Sequence, residues 1–246
     1  MRSWRHLDTS ELPALCPPAF LGVLCVNVLA MRFLALAVLG VLLAATASAQ
    51  SSQSERMRAF AESAGPPDAN PHYFPVGVFS DDPDLSEFRA RWYAKHLRAM
   101  GEESLLNAAT NQEFPGYRFL WLRTFHHPIA IELRIRPDGS GQINSIELDG
   151  QGGYRPGKML ANEISEISKE QLEQFEELVR ASNYWELPTE YHQPMHVNDD
   201  GAQWILEGVK NQKYHVVDRW TPTEGKYREA CLYLLKLSRL HIDHIY

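Results

Sequence analysis

Charged and imidazole side chains alternate with apolar residues along three segments of the chain. The first segment carries Glu132 and Arg134, the second carries Glu207, and the third carries His215 and Arg219. A period of two places such side chains on one face of a β-strand. If the three faces lie on the same side of one sheet, these residues converge as a mixed patch of carboxylates, guanidinium groups and an imidazole.

The chemistry of this predicted patch depends on which of its residues are functional. Arginine forks suit carboxylate and phosphate groups, so Arg134 and Arg219 favour a ligand or partner with such groups. Glu207 and His215 could instead act as an acid–base pair in a hydrolase. A plainer alternative is a solvated sheet face with cross-strand ion pairs, because antiparallel sheets commonly face water on one side. A further alternative is that the helix predicted at 83–100 covers this face.

Large aromatic side chains lie next to these polar residues on the predicted strands. Trp204 and Trp220 could stack on a sugar or a peptide at the edge of the patch. The sequence favours the alternative that such tryptophans fill the core, since large aromatic side chains are mostly buried. Cys231 falls on the apolar stripe of a predicted helix, which indicates a core thiol and not a nucleophile.

Histidines and carboxylates also occur close together in a polar segment. His192 and His196 are followed by Asp199 and Asp200, but Pro194 separates the histidines and prevents the helical spacing of metalloprotease ligands. The glycine-rich segment 150–157 could hold an anion, yet it matches neither a P-loop nor a dinucleotide fingerprint. We therefore predict no catalytic residues, no metal site and no cofactor.

The elements that position these residues follow from caps, periodicity and turns. Asp82 and Pro83 predict the start of a helix over 83–100, and Ser168 with Gln171 forms a capping box for a second helix. Strands are predicted at 118–125, 129–136, 142–148, 203–207 and 214–220, and a last helix at 224–239.

This order of elements predicts an α+β fold. Short connections between neighbouring strands indicate an antiparallel sheet of about five strands. Two helices pack on one face, in the order strand–strand–helix twice after one extra strand, and a helix precedes the sheet. We predict a single domain over residues 83–246, preceded by a linker at 50–82.

The first forty-nine residues have the pattern of an export signal. Met31 and Arg32 precede the uncharged apolar segment 33–45, which is followed by the small-residue motif Ala47-Ser48-Ala49. We expect the chain to begin at Met31, with residues 1–30 an upstream extension, and to be cleaved after Ala49. Retention of the apolar segment as a membrane anchor is the alternative. After cleavage we expect no stable membrane span and a periplasmic or secreted location.

Composition excludes several classes of protein. The chain has 246 residues, 44% of them hydrophobic, and a net charge of -7, so we expect neither a disordered chain nor a nucleic-acid partner. Cleavage after Ala49 leaves Cys231 as the one cysteine, which excludes an internal disulfide.

Four stretches carry a resemblance to a known family. They are 117–126, Gly152-Gly153-Tyr154, 200–204 and 214–222. Through them, residues 80–240 resemble a family of exported bacterial proteins of unknown function. The resemblance implies an exported, self-contained domain and brings no activity with it.

The sequence favours a binding module over an enzyme. Its partner is expected to be a protein or a small-molecule ligand of the cell envelope, bound at Glu132, Arg134, Glu207, His215 and Arg219 with Trp204 or Trp220 at the edge. The alternative is a cell-envelope hydrolase that uses the His215 and Glu207 pair. A third possibility is a structural component of the envelope that binds no ligand, and a helix laid over the patch would favour it.

Overall fold

A computed structural model describes residues 72–111, 115–191 and 200–245 of the chain. The predicted export signal and the segment from His192 to Asp199 lie outside these described residues. The helices are α1 (Pro83–Ala99), α2 (Leu105–Asn111), α3 (Lys169–Ala181) and α4 (Lys226–Leu237). The strands are β1 (Gly116–Arg123), β2 (Ile129–Ile135), β3 (Gly141–Leu148), β4 (Met159–Ile167), β5 (Ala202–Lys210) and β6 (Lys213–Trp220).

The six strands form one antiparallel sheet with the order β4-β3-β2-β1-β5-β6. The predicted α+β class and antiparallel pairing are confirmed, whereas the expected count of about five strands is wrong by one. The additional strand is β4, at the edge of the sheet. Eight of its nine residues are exposed or half-buried, so the strand lacks the apolar alternation that marks a half-buried strand in a sequence.

Helices α3 and α4 cover one face of the sheet, as predicted. Phe175 of α3 and Leu234 of α4 are fully buried against a row of strand side chains that includes Phe119 and Trp121. Cys231 of α4 lies in this core with its side chain fully buried, which confirms the prediction of a core thiol.

Helix α1 covers the opposite face, which the sequence left open as the ligand-binding side. Tyr93 and Leu97 of α1 are fully buried in a second core with Leu120 of β1 and Ile205 of β5. Of the two alternatives that the sequence left for this face, coverage by the helix at 83–100 is observed and exposure to solvent is not. Burial of aromatic and aliphatic side chains removes apolar area from water on both sides of the sheet.

Residues 72–82 belong to the domain and not to a linker. Phe79 is fully buried, and its ring lies 5.1 Å from that of Tyr93 in an edge-on contact. The Phe79 amide donates to Ser86 Oγ at 3.1 Å. Tyr73 is also buried, and its hydroxyl donates to the Glu102 carbonyl at 2.8 Å. The start of the compact domain therefore lies before residue 83.

The predicted helix starts are confirmed in their hydrogen bonding. The Asp82 side chain accepts from the amides of Asp84 and Leu85, and proline occupies the first turn of α1. At α3, Ser168 and Gln171 form the expected reciprocal capping box. Within the described part of the chain, no helix combines the length and apolar character needed to cross a membrane.

The β5–β6 hairpin is tighter than its sequence suggested. Its connection is the two-residue turn Asn211-Gln212, in which both residues have positive φ values of 52° and 63°. The six-residue loop expected at 208–213 is therefore wrong. Both strands extend further, and the register that results decides which side chains share a face.

Candidate functional site

The predicted polar patch is divided between the two faces of the sheet. In the β5–β6 register, Glu207 lies opposite Val216, and His215 lies opposite Gly208. Directly opposed residues share a face, so Glu207 and His215 lie on different faces. The expected convergence of the three strand faces is wrong, and the predicted acid–base pair is not formed.

Glu207 is part of a buried ionic cluster under α2. Arg118 of β1 donates from Nε to Glu207 Oε2 at 2.8 Å, and its Nη1 reaches Glu102 Oε2 at 3.2 Å and the Glu103 carbonyl at 2.6 Å. The Tyr214 hydroxyl donates to Glu207 Oε1 at 2.9 Å. Arg118 and Glu207 are both fully buried, so neither presents a surface to a ligand.

Two further carboxyl groups complete this buried ionic cluster, which consists of Arg118, Glu102, Glu132 and Glu207. Burial raises the pKa of Glu102 to about 8, Arg118 opposes that shift, and the neighbouring Glu132 adds to it. Glu132 accepts from Arg134 Nε at 2.5 Å, and the Arg134 side chain is 61% exposed. Only Arg134, at the rim, is therefore open to solvent.

Arg118 is the central residue of the cluster, and it was not among the predicted site residues. The available signal was a charged side chain between apolar residues of β1, on the face that also carries Leu120 and Leu122. The other charged residue of β1, Arg123, ends the strand. A guanidinium group in such a position requires buried carboxylates as partners. The sequence alone does not indicate that Glu102, from the segment after α1, supplies one of them.

His215 and Arg219 support the loop structure on the other face. The half-buried ring of His215 packs 5.1 Å from that of Tyr184, and burial lowers the pKa of His215. Arg219 donates to the carbonyls of Thr189 and Pro188, both at 2.8 Å. These contacts hold the segment that follows α3 against β6.

Neither predicted edge tryptophan forms a platform beside the patch. Trp204 is fully buried, 5.5 Å from the ring of Trp121 and 5.4 Å from that of Phe119, so the core alternative is confirmed for it. Trp220 is half-buried and packs tightly on Gly201, where an added Cβ would lie 2.5 Å from its ring.

A second buried acid lies between α1 and β6, and sequence reasoning missed it. Asp218 accepts from the Tyr93 hydroxyl at 2.7 Å. Burial raises the pKa of Asp218 to about 6, with Arg89 opposing the shift. Arg89 also forms an ion pair with Glu190. These contacts therefore connect α1 to β6 and to the segment after α3.

Exposed aromatic side chains meet at one end of the sheet. Phe125 of the β1–β2 turn is 48% exposed, and Tyr154 of the β3–β4 connection is 45% exposed. Their rings are stacked, with centroids 6.0 Å apart and an interplanar angle of 26°. Two adjacent exposed rings form an apolar surface that water does not solvate well.

The two turns that carry these rings are joined through glycine backbone. Gly152 donates its amide to the His126 carbonyl at 3.0 Å, and Gly153 donates to the Thr124 carbonyl at 3.2 Å. A Cβ at Gly152 would lie 2.6 Å from the Arg123 nitrogen. Only a residue without a side chain permits so close an approach of two backbones.

Helix α1 fixes the β3–β4 connection from below. Trp92 Nε1 donates to the Gly152 carbonyl at 3.0 Å, and Lys95 Nζ donates to the Tyr154 carbonyl at 2.8 Å. Both donors lie on the side of α1 that faces the turn. The exposed ring of Tyr154 is therefore attached to a backbone with several fixed contacts.

A strained residue lies at the same end of the sheet. Thr221 has a φ of 41°, which is unusual for a β-branched residue. Its amide donates to the Ala202 carbonyl at 2.8 Å, and its Oγ1 accepts from the Ala202 amide at 2.9 Å. The adjacent Gly201 carbonyl accepts from the Thr124 amide at 2.9 Å. Strain of this kind is frequent at functional sites.

We refer to this end of the sheet as the aromatic end and define it by Phe125, Tyr154, Gly152, Gly153 and Thr221. The predicted patch did not include it. The signals in the sequence were the Gly152-Gly153-Tyr154 motif and the aromatic residue that ends 117–125. Their proximity depends on the pairing of β1, β2 and β3, which no local pattern states.

No family model matches this chain, and no curated protein matches it. The resemblance to a family of exported bacterial proteins stays a prediction. Within 72–111, 115–191 and 200–245, there is no group of three or more histidine, cysteine or acidic residues arranged to hold a metal ion.

Proposed function

We propose that this protein is an exported, non-enzymatic binding module that recognises a partner protein of the cell envelope through its aromatic end. The observation that carries the proposal is the exposed stacked pair of Phe125 and Tyr154 on two turns locked together by glycine backbone. The signal-like pattern over residues 31–49 supports export.

The stacked pair has the character of an interface centre. Tyrosine and other aromatic residues are enriched in the few positions that dominate binding energy between proteins. The turns that carry Phe125 and Tyr154 are held before binding by the backbone contacts of Gly152, Gly153 and Trp92. Binding then costs less conformational entropy than it would on a free loop.

The polar groups around the pair suit the rim of such an interface. His127 lies in the same turn as Phe125, and its Nδ1 is 2.8 Å from Glu147 Oε1. Arg155 follows Tyr154 and is exposed. A polar rim around an aromatic centre provides specificity and excludes water from the central contacts.

A hydrolase that uses Glu207 and His215 has no support from this geometry. The two side chains lie on opposite faces of the sheet. Glu207 is fully buried and is bound by Arg118 and Tyr214. Proton transfer between Glu207 and His215 at one substrate would require a common cleft, which the sheet itself separates.

Site-specific photocrosslinking in the producing cell tests the proposal. Benzoylphenylalanine in place of Tyr154 is expected to form a covalent adduct with one envelope protein, identified by mass spectrometry. The same probe in place of Glu173, an exposed residue of α3, serves as the matched control and is expected not to form that adduct. Truncation of the neighbouring ring by Phe125→Ala is expected to reduce the adduct at least about tenfold, as for a central interface residue.

Three results would contradict the proposal. Identical adducts from positions 154 and 173 would mean that the aromatic end has no selectivity. The absence of any adduct at position 154 would mean that no partner protein binds the aromatic end. An adduct with a saccharide in place of a protein would refute the stated partner class. The folded state of each variant is checked by its thermal unfolding midpoint, which exposed substitutions change little.

A further inference from the structure

The two edge strands of the sheet differ in whether another segment covers their outer side. At the β6 edge, the Asp218 amide donates to the Thr189 carbonyl at 2.6 Å, and Arg219 binds the carbonyls of Thr189 and Pro188. The segment after α3 therefore covers that edge. At the other edge, β4 pairs with β3 on one side, and no described strand pairs with it on the other. An uncovered edge strand is a template for pairing with another chain.

Strand β4 also carries exposed apolar side chains. Met159 is 46% exposed, Leu160 is 54% exposed and Ile164 is 60% exposed. Edge strands that must not associate often carry charged side chains, lysine above all, or proline. β4 contains neither lysine nor proline, and its two charged residues are Glu163 and Glu166. Three large exposed apolar side chains occur within a stretch of six residues on this edge strand. Such a surface indicates an interaction site, and another strand would cover it.

The order of residues in β4 fits antiparallel pairing with a second copy of itself. A twofold axis at Ile164 places this residue opposite the same residue of the second copy. Ala161 then lies opposite Ile167, so apolar side chains again meet. Glu163 lies opposite Ser165, so each carboxylate faces a hydroxyl donor and not a like charge.

Neighbouring registers lack this complementarity. An axis at Glu163 would place two carboxylates directly opposite one another, which destabilises an antiparallel pair. An axis at Ser165 would place Ile164 opposite Glu166. The register centred on Ile164 also uses only Ala161 to Ile167, where β4 pairs regularly with β3. The register shift lies beyond it, at Glu147/Leu148 of β3.

We infer that two copies of the chain associate through β4, pairing antiparallel about a twofold axis at Ile164 to give one sheet continuous through both. This interface is independent of the aromatic end. The pairing covers the exposed side chain of Ile164 and satisfies the outward backbone groups of β4 between Ala161 and Ile167. Pairing through β4 uses the edge of the sheet, whereas the aromatic end lies at the ends of the strands. The aromatic end of each copy is therefore not part of the dimer interface.

A disulfide trap tests this register in the purified protein. Directly opposed residues of an antiparallel pair have Cα atoms about 4.5 to 5.5 Å apart, a separation that suits a disulfide. Ile164→Cys is therefore expected to give a covalent dimer on mild oxidation. Asn162→Cys is the matched control, because its two copies would lie four residue steps, about 13 Å, apart along the strands. We expect at least tenfold less covalent dimer from it, and the wild-type chain supplies the background.

A charge substitution tests the association itself. Ile164→Asp places two carboxylates against each other at the axis, and analytical ultracentrifugation is expected to show at least a tenfold weaker dimer. Val76→Asp adds the same charge at a site that is 89% exposed and away from β4, and it is expected to leave the dimer unchanged. A wild-type protein that is monomeric at all concentrations overturns the inference. Equal trapping by the Asn162→Cys and Ile164→Cys variants overturns the register.

Discussion

At the scale of single residues, the buried ionic cluster has an excess of acid over base. Glu102, Glu132 and Glu207 share it with Arg118, and Arg134 neutralises Glu132 from the rim. One carboxyl group is therefore left without a counter-charge of its own. Burial raises the pKa of Glu102 to about 8, so at neutral pH this group keeps its proton and avoids an uncompensated buried charge.

This proton links the stability of the fold to pH. The folded chain holds a proton on Glu102 between its ordinary pKa of 4.5 and about 8, whereas the unfolded chain releases it. The native state therefore binds more protons in this range, and the free energy of unfolding falls as pH rises. We expect Glu102→Gln to reduce this slope, because a neutral amide retains the acceptor for Arg118 and has no proton to lose. Urea unfolding at pH 6.5 to 8.5 measures the difference.

The pH range lies above the pKa of a second buried acid, Asp218, which burial also raises. Asp218 has a pKa of about 6 and contributes its own slope mainly at lower pH. Glu173→Gln, an exposed substitution on α3, is the control and is expected to keep the wild-type slope. One full proton corresponds to about 1.4 kcal/mol per pH unit. Equal slopes for wild type and Glu102→Gln would show that Glu102 is not the titrating group.

At the scale of elements, local chemistry could be predicted from the sequence and register could not. The helix starts at Pro83 and Lys169 depend on side chains within three residues, and both are as predicted. β4 was missed because an exposed edge strand has no need of apolar alternation. The faces of β5 and β6 were matched wrongly for a different reason than turn length. The expected loop at 208–213 would pair Glu207 with Tyr214, and the observed turn pairs Glu207 with Val216. These registers differ by two residues, so both place Glu207 and His215 on opposite faces, and the error lay in assigning them to one face.

The β5–β6 turn itself contains an unfavourable residue. Both turn positions have positive φ, which suits asparagine followed by glycine, but the second position is Gln212 with a φ of 63°. We expect Gln212→Gly to raise the free energy of unfolding by about 0.5 to 1 kcal/mol, since it removes a left-handed conformation from a residue with a Cβ.

Chemical unfolding of the variant and its control measures this effect. Gln142→Gly, inside β3, introduces the same residue where the backbone is extended. It is expected to lower stability by roughly 0.5 to 1 kcal/mol. If both substitutions destabilise, the strain at Gln212 is not a significant term in the hairpin.

At the scale of the whole molecule, helices cover both faces of the sheet, so the proposed binding surfaces lie at its ends and edges. The predicted site assumed one open face, on which Glu132, Glu207 and His215 would have met. With α1 and its preceding segment over that face, the aromatic end and β4 are among the features that stay exposed. Phe125 and Tyr154 belong to different turns, and the sequence does not indicate how strand pairing brings those turns together.

The burial of Phe79 predicts that residues 72–82 fold cooperatively with the rest of the domain, and a substitution tests this. Phe79 is fully buried and contacts the rings of Phe74 at 5.0 Å and Tyr93 at 5.1 Å. Phe79→Ala leaves a cavity in the second core, so we expect a loss of about 3 to 5 kcal/mol in the free energy of unfolding. A linker residue would cost almost nothing.

Val76→Ala provides the comparison within the same segment. Val76 is 89% exposed, and its truncation is expected to change stability by less than about 0.5 kcal/mol. Guanidinium unfolding curves with equal slopes report the two differences as shifts in midpoint. A cost below about 1 kcal/mol for Phe79→Ala would place residues 72–82 outside the cooperative unit. A large loss in the free energy of unfolding would show that α1 and the segment before it pack on the sheet as one cooperative unit, because the same aromatic cluster contacts both.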